Sequence, residues 1–146
     1  MPFTTGVITN TNTGAANIVV NTRNIDTHNT AIITVQIFAS VDSTVFHTDY
    51  VSSYIVLANS FDVREFVIAG NVAYEVQINV LNSTSTVMSI FGIDAFGNLI
   101  TDQRILQQDL TYISTLSPPI QPIYSPHSFL RAFLSASLRT QCLLFD

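Results

Sequence analysis

The clearest structural signal in the chain is the heptapeptide YEVQINV, which runs from Tyr74 to Val80. Its apolar residues occupy every second position, and Glu75, Gln77 and Asn79 occupy the positions between them. Because successive side chains of a strand point to opposite faces, this alternation predicts a half-buried antiparallel strand.

Similar segments follow one another along the chain, separated by Asn, Gly, Ser and Asp. The decapeptide AIITVQIFAS, from Ala31 to Ser40, predicts a strand with one fully apolar face, and Asp94 to Asn98 predicts the turn of a hairpin. Further strands are predicted at 3–9, 17–23, 45–57 (one or two strands), 61–69, 88–93, 99–106 and 110–113. Seven to nine antiparallel strands in one chain of 146 residues predict an all-β jelly roll or β-sandwich.

One of these segments breaks its own pattern. From Phe61 the residues alternate as far as Arg64 and Glu65, where the apolar phase shifts by one. A β-bulge at these two residues and a misplaced strand start both account for the shift.

The C-terminal part differs in composition, because residues 118–146 hold four of the five prolines. After Pro126, apolar residues recur at helical spacing, which predicts a proline-rich linker followed by a short amphipathic helix; they are Phe129, Leu130, Phe133, Leu134 and Leu138. This tail either docks on a neighbouring subunit or has no part in the function. The predicted organisation is therefore an N-terminal extension at 1–16, a β-sandwich domain at 17–117 and the tail at 118–146.

The composition is unusual for a soluble monomer. Only 10% of the residues are charged, against about 25% in an average protein, and all five basic residues are arginines. A surface of neutral hydroxyls and amides suits a protein that other subunits cover, because burying an amide costs less than burying an ion. An ordinary threonine-rich extracellular β-domain has a similar composition.

The net charge of −5 argues against nucleic acid and against anionic membranes as partners, since both are bound by clustered Lys and Arg. No run of 18 apolar residues predicts a membrane span, and Met1 to Thr4 lacks the features of a signal peptide.

No pattern of residues predicts a catalytic or metal site. His28, His47 and His127 are isolated, although His47 and Asp49 fall on one strand face, and the single cysteine is Cys142. Cys142 is expected to be a free thiol or to pair between chains. We therefore expect no enzyme activity, no cofactor and no metal. Tyr50, Tyr54 and Tyr112 are the residues on which a sugar could stack.

The N-terminal residues 3–9 are uncharged, extended and followed by the flexible Thr-Asn-Thr-Gly of residues 11–14. Such a segment can add a strand to the sheet of another subunit, with main-chain hydrogen bonds giving affinity and side chains filling pockets. The predicted interface residues are Phe3, Thr5, Val7 and Ile8. The alternative is that residues 3–9 form the first strand of their own sheet.

Several short phrases together resemble a known group of proteins. They are Val20–Asn24, Asp26–Thr27, Ala31–Phe38, Ala73–Ile78, Ser89–Leu99, Arg104–Leu106 and Asp109–Thr111. Over roughly residues 17–113 the chain resembles small β-domains from spore-forming, Bacillus-type bacteria that are linked to the spore surface, and above all the subunits of endospore appendages.

The resemblance implies a jelly-roll or sandwich subunit that stacks into a fibre on the outer face of the spore. Its partners would be copies of itself and a spore-surface anchor protein, and its N-terminal extension would reach into the next subunit. The better-known appendage subunits cross-link through cysteines in that extension, but residues 1–16 contain none, so no such cross-link is expected here. Two alternatives remain: an adhesin-like sandwich, monomeric or trimeric, that binds carbohydrate or protein, and a phage or viral jelly-roll protein.

Overall fold

The computed structural model describes residues 1–10, 12 and 14–120, which form two antiparallel β-sheets stacked as a sandwich. The strands are β1 (Pro2–Thr4), β2 (Ile8–Thr9), β3 (Asn17–Asn24), β4 (Ala31–Ser40), β5 (His47–Val56), β6 (Phe61–Val67), β7 (Ala73–Leu81), β8 (Thr86–Ile93), β9 (Leu99–Ile105) and β10 (Thr111–Tyr112). Sheet A has the order β10-β1-β7-β4-β5, with β2 also pairing with β7. Sheet B has the order β6-β3-β8-β9. The predicted all-β sandwich is confirmed.

The core lies between the sheets and is built by the alternation that the sequence shows. In β7 the side chains of Tyr74, Val76, Ile78 and Val80 are buried, and in β4 those of Ile33, Val35 and Ile37 are buried with them. Sheet B contributes Ile18, Val20, Met88 and Ile90. Each such side chain stabilises the fold by roughly 1.5–3 kcal/mol relative to exposure, so these two-sheet contacts dominate the stability.

Strand β6 corrects one expectation. Its register with β3 runs unbroken from Phe61 opposite Arg23 to Val67 opposite Asn17, so there is no bulge at Arg64 and Glu65, and the strand start was placed correctly. The apolar positions of β6 shift because two polar residues of this edge strand, Asp62 and Arg64, point toward the other sheet. The Arg64 guanidinium lies 3.9 Å from the centre of the Tyr54 ring, and its Nε is 2.9 Å from the Asp62 carboxylate.

After β10 the chain crosses the outer face of sheet A as a segment that we call the C-terminal strap, residues 113–120. Ile113 N donates to Pro2 O, Gln36 Nε2 donates to Ser117 O, and Thr48 N donates to Ile120 O. The predicted domain boundary at residue 117 thus falls within a segment attached to the sheet. The predicted helix and Cys142 lie outside the described residues.

Candidate functional site: the N-terminal segment and its slot

The first nine residues, which we call the N-terminal segment, fill a slot in sheet A. Strand β7 pairs with β4 on one side, and on its other side it pairs with β1 and β2. Strand β10 forms the far wall, with Tyr112 opposite Phe3. We call this position, bounded by β7 and β10, the acceptor slot.

The main chain makes most of the polar contacts between the segment and its slot. Val80 N donates to Met1 O at 3.2 Å, Thr5 N donates to Val76 O at 3.0 Å, and Ile113 N donates to Pro2 O at 3.0 Å. Main-chain bonds of this kind depend on strand geometry and not on which molecule supplies the strand.

A glycine bulge divides the segment into two strands. Phe3 lies opposite Ile78 and Ile8 lies opposite Tyr74, so five steps along the segment match four steps along β7. The extra residue is accommodated at Gly6, whose φ of +70° favours glycine. Because of the bulge, Phe3 and Ile8 both face the core although they are five positions apart, an odd spacing that would place them on opposite faces of a regular strand.

The four predicted interface residues therefore have different surroundings. Phe3 is half-buried and makes an edge-on ring contact with Tyr112 at 6.1 Å between centroids, and Ile8 is buried in the core. The Thr5 N–H donates a hydrogen bond to Val76 O, and Thr5 Oγ1 accepts one from Val76 N. The Val7 side chain, by contrast, is 64% exposed. In the structure Phe3, Thr5 and Ile8 pair with or hydrogen-bond β7 of their own chain, as in the alternative that the sequence left open. Their role between subunits stays a prediction.

Side chains join the N-terminal segment to the C-terminal strap. Thr4 Oγ1 donates to Glu75 Oε2, which also accepts a 3.0 Å hydrogen bond from Gln77 Nε2. Gln77 in turn bonds Ser117 twice, through Nε2 to Oγ at 2.9 Å and through Oε1 from the backbone N–H at 2.8 Å. The outer surface of the slot is therefore closed by neutral amides and hydroxyls around one carboxylate.

The base of the N-terminal segment is fixed at Asn10, which is 7% exposed. Its Oδ1 accepts a 2.8 Å hydrogen bond from Gln103 Nε2, and Gln103 Oε1 accepts a 2.6 Å bond from the Tyr74 hydroxyl. Burial raises the pKa of Tyr74 above its ordinary value, so this hydroxyl keeps its proton and remains a donor. Three distant parts of the chain meet in this buried network.

Among the described residues, no group of three or more His, Cys, Asp or Glu side chains could hold a metal ion. His47 Nε2 lies 2.8 Å from Asp49 Oδ1, but in the described part of the chain no third ligand-type residue joins a cluster with them. The Tyr54 ring is buried beneath Arg64, and Tyr50 packs on Phe66 at 5.1 Å and bonds Val67 O. Of the three predicted stacking residues, Tyr54 is thus buried and Tyr50 half-buried, whereas Tyr112 is 59% exposed.

Each sheet has two edge strands, one on each side of the sandwich. Strands β5 and β6 meet on one side through the Tyr50–Phe66 contact, which leaves β9 and β10 on the other. The β5 and β6 edges carry exposed apolar side chains, namely Val51, Ile55, Phe61, Val63 and Val67. Exposed edges with apolar side chains favour association with further strands.

Along the part of the chain that the structure describes, no helix is long and apolar enough to span a bilayer.

Sequence reasoning missed the strap contacts at Ser117 and the buried Asn10–Gln103–Tyr74 network. One signal pointed to the network: Gly92, an isolated glycine in a strand, marks a close approach of another group. A Cβ built at Gly92 overlaps the Gln103 side chain. Nothing in the polar run around Gln103 indicated that its side chain points inward.

No protein-family model, curated protein or solved structure matches this chain.

Proposed function

We propose that the chain is a structural subunit that assembles with copies of itself into a fibre on the bacterial spore surface. In this assembly the N-terminal segment of one subunit occupies the acceptor slot of the next. The observation that carries the proposal is the position of β1, a three-residue strand held between β7 and β10 chiefly by main-chain bonds. A second copy of the same segment makes the same bonds in the same register, so exchange between subunits loses few contacts.

The surface of the sandwich supports assembly. Charged residues make up only 10% of the chain, and apolar side chains are exposed along the β5 and β6 edges. Because the edge strands β5 and β6 lie opposite β9 and β10, a contact of the first pair of edges with the second joins two different surfaces, which generates an open chain unless a rotation closes it. The assignment to the spore surface is supported by the likeness of residues 17–113 to appendage subunits.

A disulfide between the N-terminal segment and its slot tests the exchange. Pro2 lies opposite Asn79, next to Met1 and Val80, which exchange hydrogen bonds with each other. Pro2 and Asn79 are therefore a non-hydrogen-bonded pair, in which side chains approach closely enough for a disulfide. The test variant is P2C/N79C with Cys142→Ser, oxidised after assembly and run on a non-reducing gel.

We expect a ladder of covalent multimers, together with fibres in negative-stain electron micrographs. The matched control is T34C/S53C with Cys142→Ser, since Thr34 and Ser53 lie on β4 and β5 with their hydroxyls 3.0 Å apart and should cross-link only within a chain. A monomer band alone from P2C/N79C contradicts strand exchange. A dimer band without higher steps shows that exchange closes on a pair, and contradicts a fibre built this way.

A further inference from the structure

The outer face of sheet B is largely apolar. In β6 the residues at positions 61, 63, 65 and 67 point outward, and three of these four are apolar and more than half exposed, with Phe61 at 72%. Outward residues of β3 and β8 lie in register with them and continue the surface. The apolar residues of this face include Val19, Phe61, Val63, Val67, Val87 and Phe91. An exposed apolar face of this kind favours contact with another protein surface.

One row of residues crosses the face with opposite charges at its two ends. Glu65 on β6 lies opposite Val19 on β3, and Val19 lies opposite Phe91 on β8. Phe91 in turn lies opposite Arg104 on β9. Glu65 and Arg104 are therefore three strand spacings apart, about 14 Å. Among the described residues neither of the two forms an ion pair.

A second copy of the chain can satisfy both charges at once. When it is turned by 180° about an axis that runs along the strands between β3 and β8, its β6 lies over β9 and the row faces itself in reverse. Glu65 of each copy then faces Arg104 of the other, and Val19 of each faces Phe91 of the other. Stacked sheets lie about 10 Å apart, and Glu and Arg side chains bridge that gap from its two sides.

The charges select this axis over the alternative. A twofold axis that runs across the strands places β6 over β6 and β9 over β9, so that like charges share each edge. The exposed charged residues of the four strands are two anions and two cations, Glu65, Asp102, Arg23 and Arg104. Two copies therefore meet without net charge on either face. Arg23 lies away from the row, because its guanidinium donates to Asn59 Oδ1 at 2.8 Å and to Ser60 O at 3.3 Å.

We infer that the outer face of sheet B is a self-association surface, on which a second copy of this chain docks with Glu65 against Arg104 in both directions. The contact goes beyond the proposed function, because the N-terminal segment and the acceptor slot both belong to sheet A. It uses the same patch of both copies and so closes on a pair.

The test uses the full chain with strand exchange blocked. P2C/N79C with Cys142→Ser is oxidised at low concentration and its covalent monomer is purified, which gives a protein that we call the locked chain, with its segment held in its own slot. Sedimentation velocity over a concentration series measures the dissociation constant of the dimer. Glu65→Arg and Arg104→Glu are introduced singly and together, and the two single variants are also mixed. The control is Ser53→Arg, which adds a cation at an exposed position on the outer face of sheet A.

We expect the locked chain to dimerise, and each single reversal to raise the dissociation constant roughly tenfold or more, because it brings like charges together twice in a twofold pair. The double variant E65R/R104E and the equimolar mixture of the single variants restore opposite charges at both contacts. Both should return to within about threefold of the locked chain, and Ser53→Arg should stay within about twofold of it.

A locked chain that stays monomeric at every concentration overturns the self-association surface, and so does a dimer that neither reversal weakens. Weakening without recovery in the mixture overturns the twofold arrangement. If a reversed variant does not fold, Glu65→Gln and Arg104→Gln take the place of the reversals. Each should raise the dissociation constant about threefold, and values equal to that of the locked chain overturn the pairing. None of these outcomes bears on strand exchange, which the disulfide ladder of the unlocked protein tests separately.

Discussion

The hydroxyl of Tyr74, on sheet A, donates a 2.6 Å hydrogen bond across the sandwich to Oε1 of Gln103, on sheet B. Both residues are at most 1% exposed, and Gln103 Nε2 continues the network to Asn10 Oδ1. A buried polar group that loses its partner carries the full cost of desolvation, so this chain of bonds specifies how the sheets and the N-terminal segment fit together.

Replacing Tyr74 with Phe removes the donor to a buried acceptor without changing the ring. We expect the free energy of unfolding at neutral pH to fall by about 1–3 kcal/mol. Urea unfolding followed by circular dichroism measures the change. Tyr112→Phe, at a position that is 59% exposed, is the control and should change stability far less.

The same variant should alter the response to alkaline pH. Burial raises the pKa of Tyr74, so the unfolded chain releases this proton at about pH 10 while the folded chain retains it. The un-ionised Tyr74 hydroxyl therefore contributes its full stabilisation of the folded state below about pH 10, and this contribution is lost as the pH rises toward the pKa of Tyr74 in the folded state. Wild-type protein should therefore lose more stability between about pH 8 and 10.5 than Tyr74→Phe does. Parallel pH dependences would contradict burial of an un-ionised Tyr74.

Gly92 makes room for the Gln103 side chain. A Cβ at this position overlaps Gln103 Oε1 and lies 3.0 Å from Gln103 Cβ and Cδ. We expect Gly92→Ala to lower the free energy of unfolding by about 1–3 kcal/mol through overpacking. In the double variant with Gln103→Ala the added methyl group has space, so the two effects should be less than additive in a double-mutant cycle. Strict additivity would show that the residues do not interact.

Gly6 allows the bulge that turns both Phe3 and Ile8 toward the core. Its φ of +70° disfavours residues with a Cβ, although nothing lies within 4 Å of a Cβ built there. We expect Gly6→Ala to cost about 1 kcal/mol, and Gly6→Asn to cost less because asparagine tolerates this conformation. Hydrogen exchange of the Thr5 amide, which donates to Val76 O, reports the pairing at this point. Equal protection in both variants would contradict a conformational role for Gly6.

A chain that begins at Asn10 should bind the missing segment as a peptide. Without residues 1–9, β7 has a free edge and the core loses Ile8 and the Phe3 ring. A synthetic peptide of residues 1–9 should restore pairing and raise the melting temperature in a concentration-dependent way. The matched control is the same peptide with Ile8→Asp, which would place a charge in the core. Binding of both peptides with similar affinity would contradict insertion in the observed register.

The strands and their core faces could be predicted because their signals are local. Tyr74–Val80 and Ala31–Ser40 alternate with the period of a strand, and the structure places strands and buried faces there. The hairpin at Asp94–Asn98 also follows from local chemistry, since Gly97 has a φ of +86°. Where polar residues point inward at an edge, as Asp62 and Arg64 do in β6, the same reasoning left a bulge and a misplaced strand start open, and neither is present. It did not find the actual cause, because the Tyr54 ring that receives Arg64 is on another strand.

The candidate site was predicted only in part. The extended, uncharged character of residues 3–9 marked them as a strand that adds to a sheet, but the side to which each residue points depends on the bulge at Gly6. Which strand they pair with, and that β10 closes the slot, depends on residues about 70 to 110 positions away.

By itself the sequence determined the all-β class, the limits of the main strands and the faces they bury, since strand periodicity and turn chemistry act over a few neighbouring residues. Only the tertiary structure decided that the N-terminal segment lies between β7 and β10. Only the tertiary structure also decided that Tyr74 and Asn10 hydrogen-bond the Gln103 side chain, and that the C-terminal strap crosses sheet A, where Ser117 bonds Gln77. The physical reason is that hydrogen bonds between distant segments depend on how the sheets stack, and alternation along one strand carries no information about its partner.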